Sequence, residues 1–370
     1  MKLNKNAQSA LAAINREPTE NIPIGLVHIM EHSVIERIAK RASGSYAGDP
    51  HNVYMEMLDN IGVSMVDQYL ADNPLTMDRR GYRGGAGATT GKAAVCDGIV
   101  IDSPEAVALH IEKYQYPRII ETIKNFDAEK VKRDAINCES FLQRLLGPDI
   151  LKAGYGMMRF PGLDYFQYGY EPYFTAYAIY PELIDRLFSL RADYALMHNA
   201  AVVEAYVGAG LPLYHRLDHD MADSRGLLVG LKTLERAWLP CLAHSIKPAV
   251  DAGFALLWHC DGNLSELLPG LVECGINGFQ GFQYEDGMDY KKICKMKMRD
   301  GSSPIIQAGV SVTRELPFGT PGDVMRQVDF LVEHGPKAGL FLAFSSSCVP
   351  GTPYENIEAA IEVMKSYNKL

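Results

Sequence analysis

The stretch that decides the fold runs from Phe254 to Asn263 and reads FALLWHCDGN. Its five apolar residues lead directly into His259, a cysteine and Asp261. A short apolar run of this kind is typical of a strand buried on both faces, as in a parallel sheet. Polar side chains at its end predict a functional site, because parallel α/β folds build their sites at the carboxyl ends of the strands.

Seven further short aliphatic runs share this pattern, and five of them end in Gly, His, Asp or Gln. They are residues 22–28, 62–67, 150–156, 211–217, 276–280, 304–309 and 339–344. Longer stretches with the apolar spacing of helices separate many of them, among them residues 181–209, 264–274, 320–334 and 354–367. Strands that alternate with helices pair in parallel through right-handed crossovers. The eight runs therefore predict an α/β fold, and specifically a (β/α)8 TIM barrel rather than an open sheet.

The whole chain, residues 1–370, is predicted to be one barrel domain with an insertion around 84–147. The stretch GGAGATTGK at 84–92 lacks the spacing and the Ser or Thr of a phosphate-binding loop. Residues 154–180 are dense in Tyr, Phe and Met, and three interpretations stay open for them. They line a pocket for an aromatic ligand, form a homodimer contact, or pack as a loop against the core.

Composition excludes several classes of protein. The formal net charge is −9 and no block of basic residues occurs, so nucleic acid is not an expected partner. Seven cysteines without regular spacing argue against a disulfide framework and predict reduced thiols in a cytoplasmic protein. The first residues lack the apolar core of a signal peptide, and no window approaches the ~18–20 apolar residues of a membrane span.

Polar residues at or just beyond the predicted strand ends form the candidate site. They are His28, Asp67, Gln68, Arg159, His215, Asp218, His259, Asp261, Gln280, Gln283, Gln307 and residues 345–348. Each such group would cost ~1–3 kcal/mol if it were buried without a partner. A shared polar pocket explains why so many strand ends supply one.

His259 and Cys348 are the candidate pair for a soft metal, because imidazole and thiolate both suit zinc. The residues alone leave the third ligand open between Asp261, Asp218 and Glu285. They also leave open that His259 and Asp261 make a plain hydrogen bond beside the site. Cys260 is expected to point away from His259 and to pack.

The stretch LDHDMADSRG at 217–226 places three acids and a histidine in one predicted strand-to-helix loop. Neighbouring acids raise one another's pKa and can divide the roles of acid and base. The alternative is that these aspartates cap a helix and satisfy turn amides. We favour the functional interpretation for Asp218, which is nearest the strand, and the structural one for Asp223.

Several motifs together resemble the uroporphyrinogen decarboxylase superfamily, with the best match to its corrinoid-dependent methyltransferases. They are FALLWHCDGNLSELLPGLVECGINGFQGFQ, MDYKK, PIIQAGV, GTPGDVMRQV and SSSCVPGTPYENIEAAIEVMKSY. The resemblance covers most of the chain and implies a (β/α)8 barrel with its site at the carboxyl ends of the strands. The decarboxylases carry an N-terminal arginine motif, whereas this chain has His28 and Glu31 in the corresponding stretch IPIGLVHIMEHSVIERIAK.

Within that branch, enzymes that methylate thiols hold zinc through His-x-Cys and a C-terminal Cys. The resemblance therefore implies zinc on His259 and Cys348, with Asp261 at the position of the middle cysteine. A metal with fewer thiolates is harder and better suited to polarise an ether oxygen as a Lewis acid. This favours a methyltransferase of the O-demethylase type, which passes the methyl group of a methoxylated aromatic compound to the Co(I) of a corrinoid.

The expected roles follow from this assignment. His259, Asp261 and Cys348 hold zinc, and Asp218 or His215 supplies a proton to the leaving oxygen. The substrate-binding residues are predicted to be His28, Arg159, Tyr165, Gln280 and Gln283. The chain has no Asp-x-His-x-x-Gly motif, so the corrinoid (cobalamin) is expected on a partner protein.

Three alternatives remain. A methylcorrinoid:thiol methyltransferase would need the second cysteine that is missing here. A tetrapyrrole decarboxylase would need its arginines. A barrel that binds a ligand without turnover would not need a metal.

Overall fold

A computed structural model of the chain describes residues 2–25, 28–72, 94–281 and 286–368. Gln283, the stretch 84–92 and the first part of the predicted insertion lie outside the described residues.

Seven of the eight predicted runs contain described strands, and the run 22–28 contributes bridges at Ile24. The described strands are β1 Met65–Val66, β2 Ala94–Cys96, β3 Ile99–Ile101, β4 Leu151–Lys152, β5 Gly154–Tyr155, β6 Tyr214–Asp218, β7 Ala222–Asp223, β8 Gly226–Leu227, β9 Ala255–His259, β10 Gly278–Gln280, β11 Ile305–Val310 and β12 Leu340–Phe344. The hairpin strands β7 and β8 were not predicted.

The helices fill the intervals between these strands. They are α1 Lys5–Ile14, α2 His32–Ile38, α3 Ser45–Gly48, α4 Pro50–Ile61, α5 Pro104–His110, α6 Tyr116–Lys124, α7 Ala128–Leu146, α8 Tyr165–Tyr168, α9 Tyr170–Ile179, α10 Pro181–Ala209, α11 Leu231–Thr233, α12 Leu239–Asp251, α13 Leu268–Cys274, α14 Tyr290–Cys294, α15 Glu315–Phe318, α16 Pro321–His334 and α17 Tyr354–Tyr367, with π-helical turns at Ile111–Gln115 and Leu234–Trp238.

Parallel pairing dominates the sheet. Six strands pair in the order β12-β11-β10-β9-β6-β5, and β1 pairs in parallel with β4. A single residue, Ala153, separates β4 from β5 along the chain. Ile24 makes isolated parallel bridges to Val63 and to Leu342. Each of the eight predicted runs therefore contributes to parallel pairing, and the prediction of an α/β fold is confirmed.

Helix α1 covers the amino-terminal ends of these strands. Its small residues Ala7, Ala10 and Ala13 recur every third position and are buried. Their short side chains let the helix approach a cluster of buried strand residues closely. The members of that cluster in and between the strands are Met65, Leu151, Ala153, Tyr214, Ala255, Leu257, Ile305 and Phe341.

Alternate residues of a strand face the same side, so β9 can be followed along one face. Ala255 and Leu257 belong to the apolar cluster under α1, and the next residue on that face is His259. On β6 the same face changes from Tyr214 to Arg216 and Asp218. The carboxyl half of the strands thus carries charge where the amino half carries hydrocarbon.

The described part of the predicted insertion has its own local structure. Residues 94–101 form the antiparallel hairpin β2–β3, and the helices from Pro104 to Leu146 follow it before β4. No described helix is long and apolar enough to cross a membrane. All seven cysteines carry free thiols.

Candidate active site

A row of polar residues crosses four adjacent strands, at the last residue of β6, β9 and β10 and within β11. Asp218 is the register partner of His259, His259 of Gln280, and Gln280 of Gln307. Residues in register on neighbouring strands lie side by side on one face of the sheet. The structure therefore brings together Asp218, His259 and Gln280, which the sequence predicted as site residues.

A buried ion pair lies beneath this row. The Arg216 Nε lies 2.5 Å from the Asp67 Oδ2, and the two side chains are 4% and 1% exposed. Arg216 also donates to the Asp218 Oδ2 at 2.9 Å and approaches the Gln280 Oε1 at 3.5 Å. Burial alone would raise the pKa of Asp67, but the adjacent guanidinium lowers it below its usual value. One arginine is therefore shared between two carboxylates.

Tyr155, at the end of β5, completes this network. Its hydroxyl donates to the Asp218 Oδ2 at 3.0 Å, and the Arg216 guanidinium lies 4.4 Å from the centre of its ring. Burial of Asp218 would raise its pKa, but the neighbouring His259 and Arg216 and the Tyr155 hydroxyl lower it. Asp218 is accordingly a carboxylate at neutral pH, and its oxygens accept hydrogen bonds.

Two more carboxylates lie one step beyond the row. Asp220 follows Asp218 by two residues, and Asp261 follows His259 by two. The Asp261 backbone N–H donates to the Asp220 Oδ1 at 2.9 Å, which draws the two loops together. Burial raises the pKa of Asp220, and the nearby Asp261 raises it further.

The backbone at Gly262 explains how these loops meet. Gly262 has a φ of +85°, and a Cβ at this position would lie 2.6 Å from the Asp223 carbonyl oxygen. The next residue, Asn263, donates its backbone N–H to that same carbonyl at 2.9 Å. Glycine thus allows the β9 loop to lie directly against the β7–β8 hairpin.

Asp220, His259 and Asp261 form a group that fits a divalent metal. One ligand atom from each lies within 4.8 Å of the others, and the His259 Nε2 is 3.9 Å from the Asp261 Oδ1. Nitrogen and oxygen ligands of one zinc ion at ~2.0–2.1 Å are about 3.3 Å apart, so a modest closing of the side chains would suffice. Imidazole and carboxylate donors suit zinc and other divalent first-row metals.

The His259 ring is held in a tight space. A Cβ on Gly281 would lie 2.5 Å from the His259 Nδ1, so only glycine at this position leaves room for the imidazole. The Nδ1 atom is buried and makes no hydrogen bond within the described part of the chain. The ring is therefore placed by sterics and strand register.

His28 faces the same region from the first predicted run. Burial and the charge of Arg216 lower its pKa to about 3, with His259 and Asp218 also within electrostatic range. Its imidazole is therefore neutral at pH 7. This placement agrees with the predicted substrate-binding role, which stays a prediction.

The Tyr- and Phe-rich segment is connected to the site through Tyr165. Its hydroxyl donates to the Asp220 carbonyl oxygen at 2.9 Å. Its ring lies 4.3 Å from that of Phe166 and 4.7 Å from that of Tyr170, centre to centre. Phe166 and Tyr170 are 55% and 45% exposed. An exposed aromatic pair thus lies next to the loop that carries Asp220.

Two predicted site residues lie apart from this cluster. The His215 Nε2 accepts the backbone N–H groups of Met157 and Met158, each at 3.1 Å, and the side chain is buried. This geometry favours a structural role over the predicted supply of a proton. The Arg159 backbone exchanges hydrogen bonds with the Asn199 side chain, and its charge acts on His198 of α10.

Cys348 is not among the grouped metal ligands of the described residues. Its backbone pairs with Ile29, and its thiol is buried near the Thr352 hydroxyl. Burial raises the pKa of this thiol to about 12. Its assignment as a zinc ligand stays a prediction, whereas Cys260 is buried and packed as expected.

The sequence analysis did not single out Arg216, Asp220 or Tyr155. The signal for the first two was the alternation along β6. Tyr214, Arg216 and Asp218 alternate along one face of β6, and Asp220 continues the same two-residue spacing just beyond the strand. Tyr155 gave no comparable signal, because its contact with Asp218 joins strands 63 positions apart.

The comparisons with known proteins bear on the fold. No family model matches the chain, and no curated protein matches it. A solved methyltransferase from Methanosarcina mazei aligns over 98% of this chain and 98% of its own, with a TM-score of 0.58 and 15% sequence identity. A B12-independent methionine synthase from a Shewanella species, solved with selenomethionine, covers 62% of this chain and 66% of its own, at 11% identity and a TM-score of 0.40. The first likeness shows a shared fold, and the second is too slight to support an argument.

Proposed function

We propose that this chain is a methyltransferase that moves a methyl group from a methoxylated aromatic compound to the Co(I) corrinoid of a separate protein. The observation that carries the proposal is the group formed by Asp220, His259 and Asp261 at the strand ends. The fold shared with the Methanosarcina methyltransferase supports the reaction class. The motifs quoted from the sequence support the O-demethylase branch.

We propose further that the eight parallel runs close into a complete (β/α)8 barrel. The support is Ile24, which bridges both the second run, at Val63, and the last run, at Leu342. This arrangement would make the polar row part of a ring of strand ends. A single domain, a cytoplasmic location and a homodimer stay predictions from the sequence.

Zinc is the proposed metal, and bound zinc would polarise the methoxy oxygen as a Lewis acid. Asp220, His259 and Asp261 would hold it, and Cys348 is the alternative ligand. Asp218, whose pKa is lowered, accepts a hydrogen bond from a donor group of the substrate and orients the ring. The Tyr155 hydroxyl and Arg216 hold Asp218 in place.

The aromatic segment completes the proposed binding site. The exposed rings of Phe166 and Tyr170 lie beside the Asp220 loop and offer faces for stacking with the substrate. Gln280 and His28 supply further polar contacts near the row. The corrinoid protein would approach from the same end of the strands.

The first experiment measures the metal content of the purified protein by plasma mass spectrometry, together with methyl transfer to a reduced corrinoid protein followed by its absorbance. We expect about one zinc per chain, lost together with activity on chelation. The variant His259→Ala should lose both while it stays folded by circular dichroism. Unfolding of this variant would show that His259 is a core residue instead.

Two matched variants identify the ligand set. We expect Asp220→Asn to lower the zinc content at pH 7 and Cys348→Ser to leave it unchanged. The reverse result would place zinc on Cys348 as the sequence predicted. A protein that takes up no metal even after zinc is added would remove the Lewis-acid mechanism.

A further inference from the structure

A buried thiol lies between the two loops that carry the grouped metal ligands. Cys260 stands between His259 and Asp261 in the sequence and is 4% exposed. It is not a member of the metal group formed by Asp220, His259 and Asp261. Its hydrogen bonds nevertheless reach the backbone of both loops.

The Cys260 Sγ takes part in two hydrogen bonds. It accepts the backbone N–H of Met221 at 3.2 Å, and it donates to the Asp261 carbonyl oxygen at 3.0 Å. Met221 directly follows Asp220, and Asp261 directly follows Cys260. The thiol therefore joins the residue after one proposed ligand to the backbone of another.

Two backbone hydrogen bonds between the loops flank this thiol. They run from the His219 N–H to the His259 carbonyl oxygen at 3.2 Å and from the Asn263 N–H to the Asp223 carbonyl oxygen at 2.9 Å. Between them, the Asp261 N–H donates to the Asp220 Oδ1, so that contact uses a proposed ligand itself. The bond from Met221 to the thiol joins the loops without using a ligand atom.

We propose that Cys260 is a positioning residue, which holds Asp220 and Asp261 close enough to share a metal and thereby raises the affinity for zinc. The inference rests on the proposed function, because it concerns the metal group on which that function depends. Residues that orient metal ligands without touching the metal contribute about 10–100-fold to metal affinity. A thiol suits this buried position, because it packs as a small apolar group and still donates and accepts weak hydrogen bonds.

The test measures the zinc affinity of metal-free protein at pH 7 by competition with a coloured chelator. Cys260→Ala removes both hydrogen bonds, and we expect it to bind zinc at least about tenfold more weakly than the parent chain. Cys260→Ser keeps a donor and an acceptor, so it should bind zinc more tightly than the alanine variant. If the alanine variant does not fold, Cys260→Val replaces it, because valine also removes the hydrogen bonds but fills the space.

Cys274 provides a matched control. Its thiol is also buried, at 8% exposed, and donates to a backbone carbonyl oxygen, that of Leu239, at 3.3 Å. It lies on α13 and is not a member of the metal group. Cys274→Ala should therefore lower the free energy of unfolding but leave the zinc affinity unchanged. Urea titration of each metal-free variant measures stability separately from affinity.

The outcomes separate this inference from the proposed function. If the parent binds zinc and a folded Cys260→Ala variant binds it equally tightly, the positioning role is overturned and the methyltransferase proposal stands. Equal losses of affinity in the Cys260→Ala and Cys274→Ala variants would also overturn it, as would a serine variant no tighter than the alanine one. A parent chain that binds no zinc would contradict the metal group and the positioning role together.

Discussion

On one face of the sheet, the amino-terminal halves of the parallel strands carry apolar side chains, whereas their carboxyl-terminal halves carry polar and charged ones. At the amino-terminal half, Ala255, Leu257 and Tyr214 pack against the alanines of α1. Two to four residues further along the same strands, Arg216 donates to Asp218, and His259 lies in register beside Asp218. The first half gains stability from apolar burial, whereas the second retains buried charge that only exact pairing makes tolerable. These strands thus contribute to stability through their amino-terminal halves and to the candidate site through their carboxyl-terminal halves.

The largest expected effect is the loss of Arg216. The substitution Arg216→Leu leaves Asp67 buried without a partner, and we expect it to lower the free energy of unfolding by about 3–5 kcal/mol. Denaturant titration with urea measures this change. The double variant Arg216→Leu with Asp67→Leu should recover much of the loss, because it removes the unpaired charge. A double variant no more stable than the single one would show that the pair contributes through packing.

A substitution in the apolar half tests the other side of the comparison. Leu257→Ala removes a fully buried side chain from the cluster under α1 and should cost about 2–4 kcal/mol. The same variant should keep its zinc content at temperatures where it stays folded. Loss of metal from the folded variant would show that the two halves are not independent.

A smaller loss of stability is expected from a substitution at Gly281, which follows β10 and lies beside the His259 ring. Gly281→Ala adds a Cβ at 2.5 Å from the His259 Nδ1 and should displace the imidazole and lower zinc affinity. Gly301→Ala is the control, because Gly301 also has a positive φ, +79°, but a Cβ there meets nothing within 4 Å. Both should lose about 1–2 kcal/mol of stability through backbone strain. Equal zinc affinity in the two variants would contradict the steric role of Gly281.

A pH dependence of stability is expected from His215. Burial lowers the pKa of His215 to about 3 in the folded chain, against ~6.5 when unfolded. Its contribution is complete above pH ~6.5 and is lost as the pH falls towards 3, because the unfolded chain binds the proton first. The loss approaches ~1.4 kcal/mol per pH unit in that window.

The variant His215→Gln isolates this contribution, since its side-chain oxygen can still accept a backbone N–H. The unfolding free energy of the variant should change less between pH 6.5 and pH 4.5 than that of the parent chain. Parallel pH profiles for the two proteins would show that His215 is protonated in the fold.

The sequence was sufficient to predict the parallel α/β fold, because buried parallel strands leave continuous apolar runs that need no long-range information. It also predicted that Asp218, His259, Gln280 and Asp261 meet, since strand ends converge at one edge of the sheet. It did not predict Asp220 as a member of the metal group. A loop interpretation of residues 219–223 overlooks that Asp220 continues the two-residue spacing of β6 beyond its last residue, Asp218. The buried partner of Arg216 is Asp67, which lies 149 positions away in the sequence. No local sequence pattern predicts such a contact.

The orientation of His215 depends on a contact that the sequence does not show. A histidine on a strand looks the same in sequence whether its ring faces the site or the neighbouring turn. Only the positions of the Met157 and Met158 amides show which.

The two ends of the described chain meet beside α1. The Asn368 side chain lies 3.4 Å from that of Asn6 and donates to the Gly62 carbonyl, just before β1. Both segments therefore lie at the end of the strands opposite to the polar row. A flexible tether joined to either segment would attach the protein to a sensor surface with its site facing the solution. A large protein presented from that solution would then approach from the side of the polar row, and immobilisation itself would orient the molecule.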